Sequence, residues 1–115
     1  MMTRRSNYTL DQQYKEEATL LKKVVDYFEP QERDGIKLLK IRDRYAKGYS
    51  DLFFNVRGQF VVAELKDDEG VASAHQEQFI EDMVKCGAIG GVCRTVGEVK
   101  ALVDEALRRC PKWPL

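Results

Sequence analysis

Asp51-Leu52-Phe53-Phe54-Asn55-Val56-Arg57-Gly58-Gln59-Phe60-Val61-Val62-Ala63-Glu64-Leu65-Lys66 holds two short runs rich in aromatic and β-branched residues on either side of Arg57-Gly58. Such runs favour extended chain, and a two-residue break containing glycine is a hairpin signal. Counting outward from the turn, Val56 faces Gln59, Asn55 faces Phe60, Phe54 faces Val61, Phe53 faces Val62 and Leu52 faces Ala63. The next pair is Asp51 with Glu64, and a four-residue loop centred on the same two residues gives the same register. Side chains alternate along a strand, so Asp51, Glu64 and Lys66 are expected on one face. Residues directly opposite have Cβ atoms about 4.5–5.5 Å apart, where like charges repel. A divalent cation would remove that repulsion. Mg²⁺ prefers oxygen ligands and is commonly held by one or two carboxylates with water and phosphate oxygens. Lys66 would then lie beside a polarised water or phosphoryl oxygen. A solvated ion cluster at the strand ends is the alternative reading of the same three residues.

The elements around the hairpin can be read from periodicity. Upstream, Leu10, Tyr14, Ala18, Leu21, Val24, Val25 and Phe28 recur at helical spacing, with Thr9 as N-cap and Pro30 as the stop near Phe28 or Glu29. Ile36 to Arg42 reads as a strand, followed by a polar loop from Asp43 to Ser50. Downstream, the turn Asp67-Asp68-Glu69-Gly70 ends the hairpin. Ser73 opens a helix to about Lys85, with Phe79, Ile80, Met83 and Val84 facing inward and Cys86-Gly87 as the stop. Ser73 and Gln76 have the spacing of a capping box. Ala88 to Cys93 reads as a short apolar strand. Thr95 caps a last helix, with Glu98 completing a second capping box and Val99, Leu102, Val103, Ala106 and Leu107 inward. The order α-β-β-β-α-β-α predicts a three-layer α/β domain with a small central mixed β-sheet flanked by helices, spanning about residues 10–108 between short tails.

The whole chain of 115 residues fits one domain, and its 43% hydrophobic content is that of a globular protein. No apolar run reaches the length of a membrane span, and the basic start lacks the apolar stretch of a secretory signal. Cys86, Cys93 and Cys110 are an odd, widely spaced set, which points to reduced thiols in a cytoplasm, and His75 reads as an exposed first-turn residue. The 19 basic and 19 acidic side chains cancel overall but not locally. From Arg33 to Ser50 the bases outnumber the acids; from Glu64 to Asp82 only Lys66 opposes seven acids. The basic stretch leads directly into Asp51. Lys40, Arg42, Arg44 and Lys47 suit phosphate contacts, while Tyr45 and Tyr49 can stack on an unpaired base or bond a phosphate. An exposed strand face and loop is the bland alternative. No base-reading helix is evident, so contacts should follow backbone and shape.

Gly48-Tyr49-Ser50-Asp51-Leu52, then Glu64-Leu65-Lys66, then Gln76 early in a helix, resembles the PD-(D/E)xK nuclease pattern, and more narrowly the VRR-NUC (virus-type replication–repair nuclease) domain. The resemblance runs from about Tyr14 to Ala106 and includes the element order. It implies a restriction-endonuclease-like fold, with Asp51 and Glu64 as metal ligands, Lys66 as catalytic lysine and Gln76 as the supporting glutamine. It also implies an acid from the first helix, for which Glu17 fits best and Glu16 stays open. Ser50 departs from the family, which usually has proline there; serine keeps the extended entry but loses the fixed φ. The implied activity is that of a Mg²⁺-dependent DNA endonuclease, with Mn²⁺ as a plausible substitute, in a bacterial or phage-infected cell. Minimal proteins of this kind are implied to form homodimers that cut branched DNA such as Holliday (four-way) junctions. A flap or generic structure-specific nuclease, and a catalytically silent DNA-binding subunit with the same fold, remain open.

Overall fold

The computed structural model describes residues 10–40, 52–66, 70–110 and 113–114, with the side chains of 10–17 left aside. The chain enters through helix α1 (Leu10–Phe28), which ends two residues before Pro30. A 3-10 helix follows over Glu29–Asp34, a segment the periodicity left unassigned. Proline stops the α-helix yet suits the first turn of a new one, where its missing N–H has no partner to lose. Strands β1 (Ile36–Lys40), β2 (Leu52–Val56) and β3 (Gln59–Leu65) come next, then α2 (Ala74–Lys85), β4 (Ile89–Cys93) and α3 (Val96–Arg109).

The sheet order is β1-β2-β3-β4, antiparallel across the first two pairings and parallel between β3 and β4, with α2 as the crossover. The mixed sheet, and the order of strands and α-helices along the chain, agree with the expectation from sequence. The hairpin register is the expected one from Val56↔Gln59 to Leu52↔Ala63. It is fixed locally: Arg57 and Gly58 both take positive φ (52° and 93°), and the Asn55 side chain accepts a hydrogen bond from the Gly58 N–H at 2.8 Å. Two positive φ values in a row give the turn a twist that matches its flanking strands.

Alternation along the strands divides the interior in two. Leu52, Phe54, Val56, Val61, Ala63 and Leu65 join Leu20, Val24 and Phe28 of α1 and Val99, Val103 and Ala106 of α3 in one apolar core. Phe28 meets Phe54 edge-on at 5.0 Å between ring centres. On the other face, Phe53 sits against Phe60 at 5.2 Å and stacks on Phe79 of α2 at 6.0 Å. Two helices on one face and one on the other make three layers. As a central strand covered on both sides, β3 is buried without interruption from Val61 through Lys66, which takes Glu64 indoors.

Two expected helix faces need correction. Ala18 is exposed, and the buried seam of α1 is Leu20-Val24-Phe28, with Leu21 and Val25 at its flank. Steps of four residues centre the seam on Val24, and Ala18 falls off its edge. Helix α2 has no fully buried residue: Phe79, Ile80 and Met83 are half-buried and Val84 is 46% exposed. It packs on β3 and β4, with Phe79 reaching Phe53 of β2, and only a narrow stripe of its apolar side finds cover.

Gly90 allows that helix its close approach. A Cβ there would lie 2.4 Å from Val62 Cγ2 and 3.3 Å from Ile80 Cγ2. Gly90→Ala is therefore expected to destabilise the fold by about 1–3 kcal/mol, the usual cost of overpacking, read as a lowered urea midpoint at unchanged slope. The thiols offer a second check. Burial pushes Cys93 up to about 12, and Glu98 adds to the effect, whereas Cys86 is exposed. Because the thiolate is the nucleophile, Cys86 should alkylate rapidly at pH 8 while Cys93 reacts only on unfolding, as mass spectrometry of labelled peptides would report.

Candidate active site

The site forms where β3 ends. Glu64 is fully buried, and its side chain points to the α2 side of the sheet, where an aliphatic residue would be the cheaper occupant. It is matched by polar partners. Lys66, only 9% exposed, places Nζ 3.5 Å from Glu64 Oε2. Gln76 donates from Nε2 to the same oxygen at 2.9 Å. Both contacts fall on Oε2, and Oε1 is buried as well.

Each partner is itself held. Lys66 lies one residue beyond β3, yet its N–H donates to the Cys93 carbonyl at 3.0 Å, extending the β3–β4 ladder. Gln76 is fixed through both ends of its amide. Its Oε1 accepts from the Ser73 N–H at 2.9 Å, while its own backbone N–H donates to Ser73 Oγ at 3.1 Å. That closes the capping box of α2 and leaves Nε2 turned to Glu64. One side chain thus both completes the cap and donates to Glu64. The second expected capping box is only half made. Thr95 Oγ1 accepts from the Glu98 N–H at 3.1 Å, but Glu98 Oε1 accepts from the N–H of Arg94 at 2.8 Å. Glu98 reaches one residue further back than the motif requires.

The structure therefore brings together Glu64, Lys66 and Gln76. Asp51 lies outside the described residues, although the register runs up to Leu52↔Ala63, the pair before it. Arg42, Arg44, Tyr45, Lys47 and Tyr49 also lie outside them. Lys40 is exposed and pairs with Leu52, the residue next to Asp51. Glu16 and Glu17 belong to the helical backbone of α1, and their side chains are outside the description. His75 is exposed in the first turn of α2. Among the described residues no three His, Cys, Asp or Glu side chains gather; of the two expected metal ligands, Asp51 and Glu64, only Glu64 is described. That donor set fits a hard divalent cation, which takes oxygen ligands and is satisfied with one or two carboxylates.

One residue bonded to the stretch between Lys66 and Gln76 was not singled out from the sequence. Arg94, just after β4, donates from Nη1 to the carbonyl of buried Gly70 at 2.6 Å. The two are 24 positions apart, and no local pattern links them.

Two solved structures are similar to this chain in fold. One, described as "VRR_NUC domain", superposes with a TM-score of 0.62 at 25% identity, covering 77% of this chain and 95% of its own. The other, described as "VRR_NUC domain protein", gives 0.63 at 19% identity, covering 80% and 88%. No family model and no curated protein matches the sequence.

Proposed function

We propose that this chain, a VRR-NUC domain protein by its fold, is a Mg²⁺-dependent, structure-specific DNA endonuclease that acts as a homodimer on branched DNA such as four-way junctions. The observation that carries it is the buried Glu64 carboxylate with Lys66 and Gln76 gathered on one oxygen. A binding surface alone gains nothing from burying a charge at the end of its central strand, because desolvation makes that placement costly.

Asp51 and Glu64 would hold the cation. The covalent bond to Leu52 keeps the Asp51 Cα about 3.8 Å from that residue's, and Leu52 pairs with the neighbour of Glu64. When bound, a divalent cation supplies Lewis acidity at the scissile phosphate and lowers the pKa of an attacking water. The protein's own groups do the rest. Gln76 fixes the rotamer of Glu64, as outer-shell donors do for ligating carboxylates. Lys66 orients the water or neutralises charge that grows on the phosphoryl oxygens as the P–O bond breaks. Glu17 would add an acid from α1. Lys40, Arg42, Arg44 and Lys47 would steer the phosphate backbone toward Asp51, with Tyr45 and Tyr49 stacking on unpaired bases. Two-fold symmetry would present two such sites to two symmetry-related strands. Among the described residues no helix is long and apolar enough to cross a membrane.

The test is cleavage of labelled four-way junction, flap and linear duplex in Mg²⁺ or in EDTA, with Asp51→Asn and Lys66→Ala alongside. Mg²⁺-dependent cutting of the junction, lost in both variants, is expected, and light scattering should give twice the chain mass. Cutting that persists in EDTA or in Asp51→Asn would overturn the metal assignment. Binding without cutting would mark a silent DNA-binding subunit, and equal cutting of flap and junction a generic nuclease.

A further inference from the structure

The geometry points to Arg94 as the positioning residue that ties down Gly70 on the way from Lys66 to Gln76. The chain leaves β3 at Leu65, places Lys66 beside Glu64 and returns at Ser73, whose cap on α2 sets the Gln76 side chain. The path from Glu64 out to Gln76 is closed by the 2.9 Å bond between their side chains. One end of the connection is tied by the Lys66 N–H to the Cys93 carbonyl, the other by the capping box. Between them, Gly70 is buried, and its carbonyl accepts from Arg94 Nη1 at 2.6 Å.

Arg94 is well placed to serve as that tie. It follows Cys93, the residue whose carbonyl receives the Lys66 N–H, so the two attachments come from adjacent residues at the end of β4. Its own backbone is held by Glu98, which accepts the Arg94 N–H at 2.8 Å from within α3. Helix α3 thereby supports a half-buried guanidinium that reaches across to the loop. A planar guanidinium with several fixed donors suits such a span better than a single flexible ammonium. Without the tie, the described stretch from Gly70 to Ser73 loses its anchor on Arg94, and the approach to Gln76 loses a fixed point. Misplacing a catalytic group by about 1 Å is enough to slow a reaction about a hundredfold.

This role rests on the nuclease reading for its kinetic consequence but not for its structural one, so two readouts separate them. The first needs no activity. In ¹H–¹⁵N spectra of the full chain, Arg94→Met should move the Gln76 side-chain amide and the Lys66 backbone amide, while hairpin amides around Arg57 and Gly58 stay in place. The second is turnover on the best-cleaved substrate. Arg94→Met should lower kcat about ten- to a hundredfold at near-constant KM, and Arg94→Lys, which keeps a donor, should recover part of it. Movement of the Gln76 amide in a chain whose wild type cuts nothing would uphold the tie and overturn the nuclease reading. An unmoved Gln76 amide, or wild-type kcat in Arg94→Met, would overturn the role of Arg94 whatever the wild type does. So would a loss of kcat that simply tracks a loss of folded protein in thermal melts, or one that Arg94→Lys fails to relieve.

Discussion

Lys66→Met should abolish detectable cleavage and, at the same time, weaken the fold more than any exposed substitution. Methionine keeps most of the aliphatic stem while removing the charge. Losing one charged donor aimed at the developing charge of a reaction costs about a hundred- to a thousandfold in rate. The stability effect has a separate origin. Glu64 is fully buried and Lys66 is 9% exposed, so this ion pair is barely screened by solvent, unlike Lys22–Asp26 or Lys100–Asp104, whose members are all exposed by more than a third. Taking the cation away from a buried carboxylate costs about 3–5 kcal/mol. The lower end is expected here, since Gln76 still donates to Glu64. For a chain of this size that is a fall in Tm of roughly 10 °C.

Adding Glu64→Gln to Lys66→Met tells the two effects apart. A neutral pair leaves no buried charge, and replacing both members of such a pair is often close to neutral. The double variant should therefore recover most of the lost stability and none of the activity. Mg²⁺ should raise the Tm of Lys66→Met more than that of the wild type, because ligand binding to the folded state adds stability by mass action and the variant gains a cation it lacks. Removing Glu64 should erase that difference. If Lys66→Met melts with the wild type, the buried pair contributes nothing. If it cleaves normally, Lys66 has no part in the chemistry.

Much of this was legible because it is local. A two-residue turn with two positive φ values fixes its own register, so the alignment of β2 with β3 up to Leu52 follows from counting. The capping box at Ser73 and Gln76 needs only three residues of spacing. What escaped depends on partners that no short window contains. Whether Ala18 or Leu20 lies inward is decided by where the sheet meets α1. Val84 is exposed on α2, although its own periodicity points it inward, because which apolar positions find cover is set by how the helix sits on the sheet. Arg94 finds its acceptor 24 residues away. The full burial of Glu64 is likewise set by layering on both sides of β3, whereas the alternation of the strand says only which face it points to.

Gln76→Glu is the substitution that isolates the orienting bond from the cap. Glutamate serves a capping box as well as glutamine does, so Ser73 and the start of α2 should persist, as far-UV circular dichroism would show. Gln76→Ala, by contrast, also removes the acceptor for the Ser73 N–H, although Ser73 Oγ still caps the N–H of residue 76. What glutamate cannot do at neutral pH is donate to Glu64 Oε2, 2.9 Å from Nε2 in the native side chain. It would set a second carboxylate there instead, and two such groups raise the pKa at which one of them takes a proton. A carboxyl whose folded pKa lies above its unfolded value binds more protons when folded, so its destabilising effect fades as pH falls. The Tm of Gln76→Glu should thus trail the wild type clearly at pH 7.5 and approach it near about pH 5, where a shared proton restores a donor between the two oxygens. Activity should fall about ten- to a hundredfold at neutral pH, the usual cost of disturbing a group that orients a metal ligand. A Tm gap independent of pH would mean that the two side chains do not interact, and wild-type turnover would mean that the orientation of Glu64 does not depend on Gln76.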